Sequence, residues 1–166
     1  MKWLIETLSG KESDVVKDLE PFVGTWSLAA HFDNPTPDVD GDGDGDGDAR
    51  VAFEWMSGQQ FLIERWEIPI PEAPDGLAVI GADPDDPDGF LQHYFDSRGV
   101  ARIYKMGFDG RVWRLWRDEP DFSPLDFRQR FTGTFSEDAR TIDGTWEICH
   151  EGSTWQKDFD ITYTRR

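Results

Sequence analysis

The chain has 166 residues, 37% hydrophobic and 14% aromatic, enough to bury one core without staples, and its single cysteine, Cys149, excludes an intramolecular disulfide framework. Seventeen Lys and Arg against 34 Asp and Glu leave a net charge of −17, a surface that repels phosphate backbones and speaks against nucleic-acid binding. No apolar run approaches the roughly 20 residues that cross a bilayer, and the apolar start Met1-Lys2-Trp3-Leu4-Ile5 meets an acid at Glu6, so a cytoplasmic protein without a membrane partner is expected. One domain over 1–166 is expected, with a helical segment over 1–21 and an acidic Asp-Gly loop over 33–49. In the helical segment, Ser13 followed by Asp14, Val15, Val16 and Leu19 reads as a short capped helix, ended by Pro21 and Gly24.

From Gly24 onward the hydrophobic period changes to two. Candidate strands cover 25–32, 50–56, 60–68, 77–82, 90–97, 100–108, 111–117, 126–135, 140–149 and 153–164. Turn signals such as Ser57-Gly58, Arg98-Gly99, Asp109-Gly110 and Glu151-Gly152 join several of them. Short connections between consecutive strands mean antiparallel hairpins. No helical pattern interrupts the strands, so the expected fold is all-β: an up-and-down antiparallel barrel of eight to ten strands.

The acid is concentrated. Seven aspartates lie within 33–48 and four within 83–88, so two segments carry 11 of the 17 net negative charges. The alternating Asp-Gly run of 38–48 has the opening of a calcium-binding helix-loop-helix loop, with Gly43 at the sixth place, but Ala49 stands where a bidentate Glu belongs. It reads as a charge-extended hairpin loop. Three dispersed histidines make no zinc set, and no metal site is expected.

Alternation assigns an inward face to most strands. Val51, Phe53 and Trp55 point inward, as do Leu91, His93 and Phe95, then Arg102, Tyr104, Met106 and Phe108. Trp113 and Leu115 follow, with Phe127, Gln129, Phe131 and Phe135, then Ile142, Trp146 and Ile148. The last strand turns Trp155, Lys157, Phe159, Ile161 and Tyr163 inward, and the strand over 60–68 is ambiguous because both faces are half apolar. An interior of this kind holds several polar and basic groups, which burial penalises unless a partner meets them.

The entry Phe22-Val23-Gly24-Thr25-Trp26 resembles the Gly-x-Trp start of calycin-type β-barrels, in which the Trp closes one end beside a basic residue after the last strand; Arg165 and Arg166 can supply it here. Phe53-Glu54-Trp55-Met56, His93 through Gly99, Phe131-Thr132-Gly133-Thr134-Phe135 and the Tyr163-Thr164-Arg165 ending are similar to an uncharacterised bacterial group of lipocalin- and nitrobindin-like barrels. The resemblance covers about 19–166 and implies a ten-stranded barrel with an internal cavity, without implying an activity. The nitrobindin branch binds haem through a histidine near its C-terminal end; no residue here matches that motif. No cofactor is predicted, and haem stays open only through that branch.

The leading expectation is a binding protein for a small hydrophobic or aromatic molecule carrying an acidic or carbonyl group. Trp55, Trp113, Phe131 and Trp146 supply apolar walls; Arg102 and Tyr104, helped by His93 and Gln129, fix the polar end. The alternatives are a small cavity enzyme, an isomerase or cyclase with His93 as base and Arg102 as oxyanion stabiliser, and a passive interaction domain with a filled core. Oligomeric state is left open.

Overall fold

The structure is a computed structural model and describes residues 14–32, 49–71 and 73–166. Ser13 with the residues before it, and residues 33–48 of the expected Asp-Gly loop, lie outside the described residues. The chain enters through a 3-10 helix, Asp14–Phe22. Its tighter winding has a reason in the sequence. Val16, Leu19 and Phe22 are spaced by three, and three residues make one 3-10 turn, so the three side chains stack on one face. That face is the buried one, at 2%, 0% and 0% exposure.

Ten strands follow: β1 (Gly24–His31), β2 (Arg50–Trp55), β3 (Leu62–Glu67), β4 (Gly76–Ala82) and β5 (Phe90–Asp96). The second half comprises β6 (Ala101–Phe108), β7 (Val112–Arg117), β8 (Phe127–Phe135), β9 (Thr141–His150) and β10 (Gln156–Arg165). Every strand pairs antiparallel with its chain neighbours, and β1 pairs with β10, so the sheet closes on itself. Closure removes the free edges that an open sheet of this length would expose.

The 3-10 helix plugs one end. Phe22 meets Phe53, Phe108, Trp113 and Phe135 at ring separations of 4.8–5.5 Å, most of them edge-on. Edge-to-face contacts let the electropositive rim of one ring meet the electron-rich face of the next. The fully buried Trp26 seals the same end, donating its Nε1–H to the Phe22 carbonyl at 2.8 Å. Arg165 lies 4.1 Å above the Trp26 ring, the indole–guanidinium contact expected from the two ends of the chain. Phe131 packs flat across Gly133 and Gly144, which face each other on β8 and β9. A Cβ at Gly144 would stand 2.4 Å from the Phe131 ring, so both glycines make room for that aromatic.

Two strands depart from the expected faces. On β5 the inward residues are Gln92, Tyr94 and Asp96, and Leu91, His93 and Phe95 lie on the outer face. Phe95 is 39% exposed and meets Phe122, of the segment after β7, outside the wall. On β10 a bulge between Lys157 and Phe159 reverses the alternation. Lys157 therefore sits opposite outward Glu147 and pairs with Asp160 at 2.8 Å. Trp155 joins the outer surface, where Arg130 stacks on it at 4.3 Å. The ambiguous β3 resolves with Leu62, Glu64 and Trp66 inward.

Candidate functional site

The end opposite the 3-10 plug opens into a cavity of about 590 Å³. Apolar and aromatic side chains form most of its wall, among them Leu28, Trp66, Trp113, Leu115, Phe127, Trp146, Phe159 and Ile161. This is the size and lining of an ordinary small-molecule pocket.

A polar cluster occupies the β6–β8 wall. Arg102 and Tyr104, two apart on β6, share a face. Both donate to one acceptor, Gln129 Oε1 on β8; the Tyr104 hydroxyl does so at 2.8 Å. The Arg102 guanidinium also lies 5.1 Å from the Phe127 ring centre. Among the described residues no carboxylate pairs with Arg102. Burial pushes the Tyr104 hydroxyl above its usual range, and Arg102 partly offsets that shift.

Two acids lie on inner faces where alternation did not place them, and of the two Glu64 lines the cavity. Asp96 is fully satisfied: it accepts the Tyr94 hydroxyl at 2.8 Å, an Arg98 nitrogen at 2.6 Å and the Arg98 backbone N–H at 2.9 Å. These donors hold its carboxyl down to about 2 against the cost of burial. Glu64 is different. It is 6% exposed, its Oε2 meets no donor among the described residues, and burial pushes its carboxyl up to about 8. Gln92 Oε1 and Trp113 Nε1 are likewise buried without partners among the described residues, and all three residues line the cavity.

Of the eight residues singled out from sequence, Arg102, Tyr104, Gln129, Trp113 and Trp146 line the cavity together. Three do not. His93 faces outward on β5, beside outward Ile103. Trp55 lies at the plugged end, where its Nε1–H donates to Glu20 at 2.8 Å. Phe131 is buried in the core, 4.7 Å from Trp113 and 5.1 Å from Trp146 between ring centres, and props both up without lining the cavity. Glu64, Trp66, Gln92 and Tyr94 line it and were missed. Trp66 and Tyr94 stack at 5.1 Å on neighbouring walls. His150 is exposed at the end of β9 and forms part of the cavity rim, against Phe127. Cys149 lies on the opposite face of β9, so the two adjacent residues diverge as alternation requires.

The fold and site define a closed, ten-stranded antiparallel β-barrel, plugged at one end and hollow at the other. Among solved structures the chain is similar to that of Rv2717c from M. tuberculosis, with a TM-score of 0.58 and 12% identity over 92% of this chain and 97% of that one. At that identity the likeness is one of fold. No family model matches the chain, and no curated protein matches it in sequence. No helix among the described residues is long and apolar enough to cross a membrane.

Proposed function

We propose that the protein is a calycin-like barrel that binds a small apolar or aromatic molecule through an acidic or carbonyl group. The observation that carries this reading is Arg102: a guanidinium on the wall of a largely apolar cavity, held by Gln129 and meeting no carboxylate among the described residues. A cation in such a place gains most from an anionic ligand group, and its planar fork suits a carboxylate. Gln129 and Tyr104 fix the fork in position before any ligand arrives. Trp26 under Arg165 supports the calycin-like assignment. The enzyme alternative loses its base, since His93 stands on the outer wall, and a cavity of this size weighs against a filled core.

The test is Arg102→Leu against wild type, titrated with the acidic aromatic fluorophore 8-anilinonaphthalene-1-sulfonate. Affinity should fall at least about tenfold, the loss expected when a charge-assisted contact goes. Circular dichroism should be unchanged, because the apo protein loses an unpaired charge. Equal affinity in the two proteins would overturn the reading.

A further inference from the structure

The inner end of the cavity holds three polar atoms without partners among the described residues. Glu64 lies opposite Phe53, Trp113 touches the plug residue Phe22 at 5.1 Å between ring centres, and Gln92 lies opposite Tyr104. Glu64 is 6%, Gln92 4% and Trp113 1% exposed. A buried polar atom without a partner is destabilising, and native interiors hold few of them. Three residues of this kind lining one cavity, from β3, β5 and β7, are what a ligand-shaped vacancy in the hydrogen-bonding pattern looks like.

Resting on the binding reading above, we propose that this inner end is a subsite for a neutral amide-type group, an N–H beside a C=O as in a carboxamide or lactam, held by Glu64, Gln92 and Trp113. Their hydrogen-bonding capacities select it. Gln92 Oε1 only accepts and Trp113 Nε1–H only donates, so the ligand must supply both a donor and an acceptor. Glu64 in its neutral form does both, and can pair in parallel with an N–H and a C=O. Its surroundings keep it neutral: Phe53 and Ala78 flank it on β2 and β4, and burial raises its carboxyl to about 8. The other titratable groups on the cavity walls leave that assignment in place. Tyr163 is itself driven up by burial, Tyr94 and Arg98 are engaged by Asp96, and Arg102 is engaged by Gln129; Asp158 and His150 lie at the mouth. An ammonium group would satisfy the two oxygens only, would leave the Trp113 N–H unmet, and would require an ionised Glu64 in an apolar setting. The inner subsite thus reads the far end of a molecule whose acidic group meets Arg102.

The experiment uses probes on one ring system: naphthalene-2-carboxamide, methyl 2-naphthoate, 2-naphthylmethylammonium and naphthalene-2-carboxylate. Each is titrated calorimetrically into wild type, Glu64→Gln and Glu64→Leu, with folding checked by circular dichroism. The carboxamide should bind wild type about tenfold or more tightly than the ester, which lacks the donor. Glu64→Gln, which keeps a donor and an acceptor, should retain that preference; Glu64→Leu should lose it. Carboxamide affinity should weaken between pH 7 and pH 9.5 in wild type and stay level in Glu64→Gln. The inference is overturned if ester and amide bind wild type equally, if the ammonium binds best and loses its affinity in Glu64→Gln, or if the pH dependence persists in Glu64→Gln. If the carboxylate binds through Arg102 while the amide shows no preference, the inner subsite alone falls. If none of the four binds, the cavity reading falls with it.

Discussion

Glu64 is the residue whose chemistry is most altered by its position. An unfolded chain exposes it, with its ordinary value of 4.5, whereas the folded barrel raises it to about 8. The native state therefore binds this proton more tightly than the unfolded state does. Stability linked to it is full below 4.5, is lost as pH rises from there to about 8, and is constant beyond. Each unit of separation is worth about 1.4 kcal/mol, so the accumulated loss is several kcal/mol. Glu64→Gln removes the titration and keeps the shape. Urea unfolding should show the variant and wild type nearly equal at pH 4.5, with the variant increasingly the more stable up to pH 8. A difference that does not change with pH would show that Glu64 is solvated in the native barrel. The placement of Phe131 is a second matter of single atoms. Gly144→Ala sets a methyl group against its ring, at 2.4 Å before relaxation, and should cost about 1–3 kcal/mol. The double variant with Phe131→Ala should show that cost largely abolished, because the two sites share one volume.

At the scale of elements, β6 shows how a ladder ends inside a barrel. Its pairing with β7 stops at Lys105, opposite Trp116. Beyond it, Ile103 N–H donates instead to Asp121 of the β7–β8 connection, at 2.9 Å. Asp121 also receives Arg117 Nε at 2.7 Å, both side chains being 3% exposed. These donors hold its carboxyl far below the usual range. Breaking a buried pair costs about 3–5 kcal/mol, so Asp121→Asn should be destabilised by that order at pH 7. Because the native value is depressed, the benefit exists above the unfolded value of 3.8 and fades as pH falls toward the native one. The wild-type advantage in chemical denaturation should therefore be smaller at pH 2.5 than at pH 7. Elements also explain what could be read from the sequence and what could not. All ten strands were legible, because turn residues and a period of two need no knowledge of the partner strand. Faces were legible wherever the interior is apolar, as on β7 and β9, and Arg102, Tyr104 and Gln129 followed from apolar neighbours two residues away. β5 was misread because its inward residues are Gln92, Tyr94 and Asp96, an inner face more polar than its outer one. Lys157 was misread because a bulge leaves no mark in alternation until the strand is paired. Glu64 had no signal in the sequence, since an unpaired inward acid contradicts the rule by which faces are assigned.

The molecule as a whole is held shut at the β1–β10 seam, where the first strand meets the last. The seam runs from Trp26 opposite Arg165 to His31 opposite Asp160, and among the described residues β1 pairs with β2 from Gly24 to Ser27. Residues 29–31 keep their register with β10. Shortening the 33–48 connection by its Asp-Gly pairs should accordingly leave the thermal midpoint within a few degrees of wild type, since loop closure depends weakly on length. A calcium-dependent rise of many degrees, lost with the deletion, would instead reveal a specific metal site there. The seam itself depends on Arg165. It donates to the carbonyls of Pro21 at 2.6 Å, Val23 at 2.7 Å and Ala139 at 3.2 Å while its plane covers Trp26. One side chain therefore ties the 3-10 plug, the β8–β9 turn and the last strand together. Gly24, with φ at +126°, brings the backbone so near that a Cβ would stand 3.0 Å from the guanidinium. Three charge-assisted hydrogen bonds and a stacked cation make Arg165→Ala worth about 3 kcal/mol or more. That corresponds to a fall in midpoint of about 10 °C for a chain of this size. Lysine offers no planar fork and cannot reach three carbonyls from above an indole. Arg165→Lys should therefore recover less than half of the loss, and near-complete rescue by lysine would mean that charge alone, rather than the fork, closes the barrel.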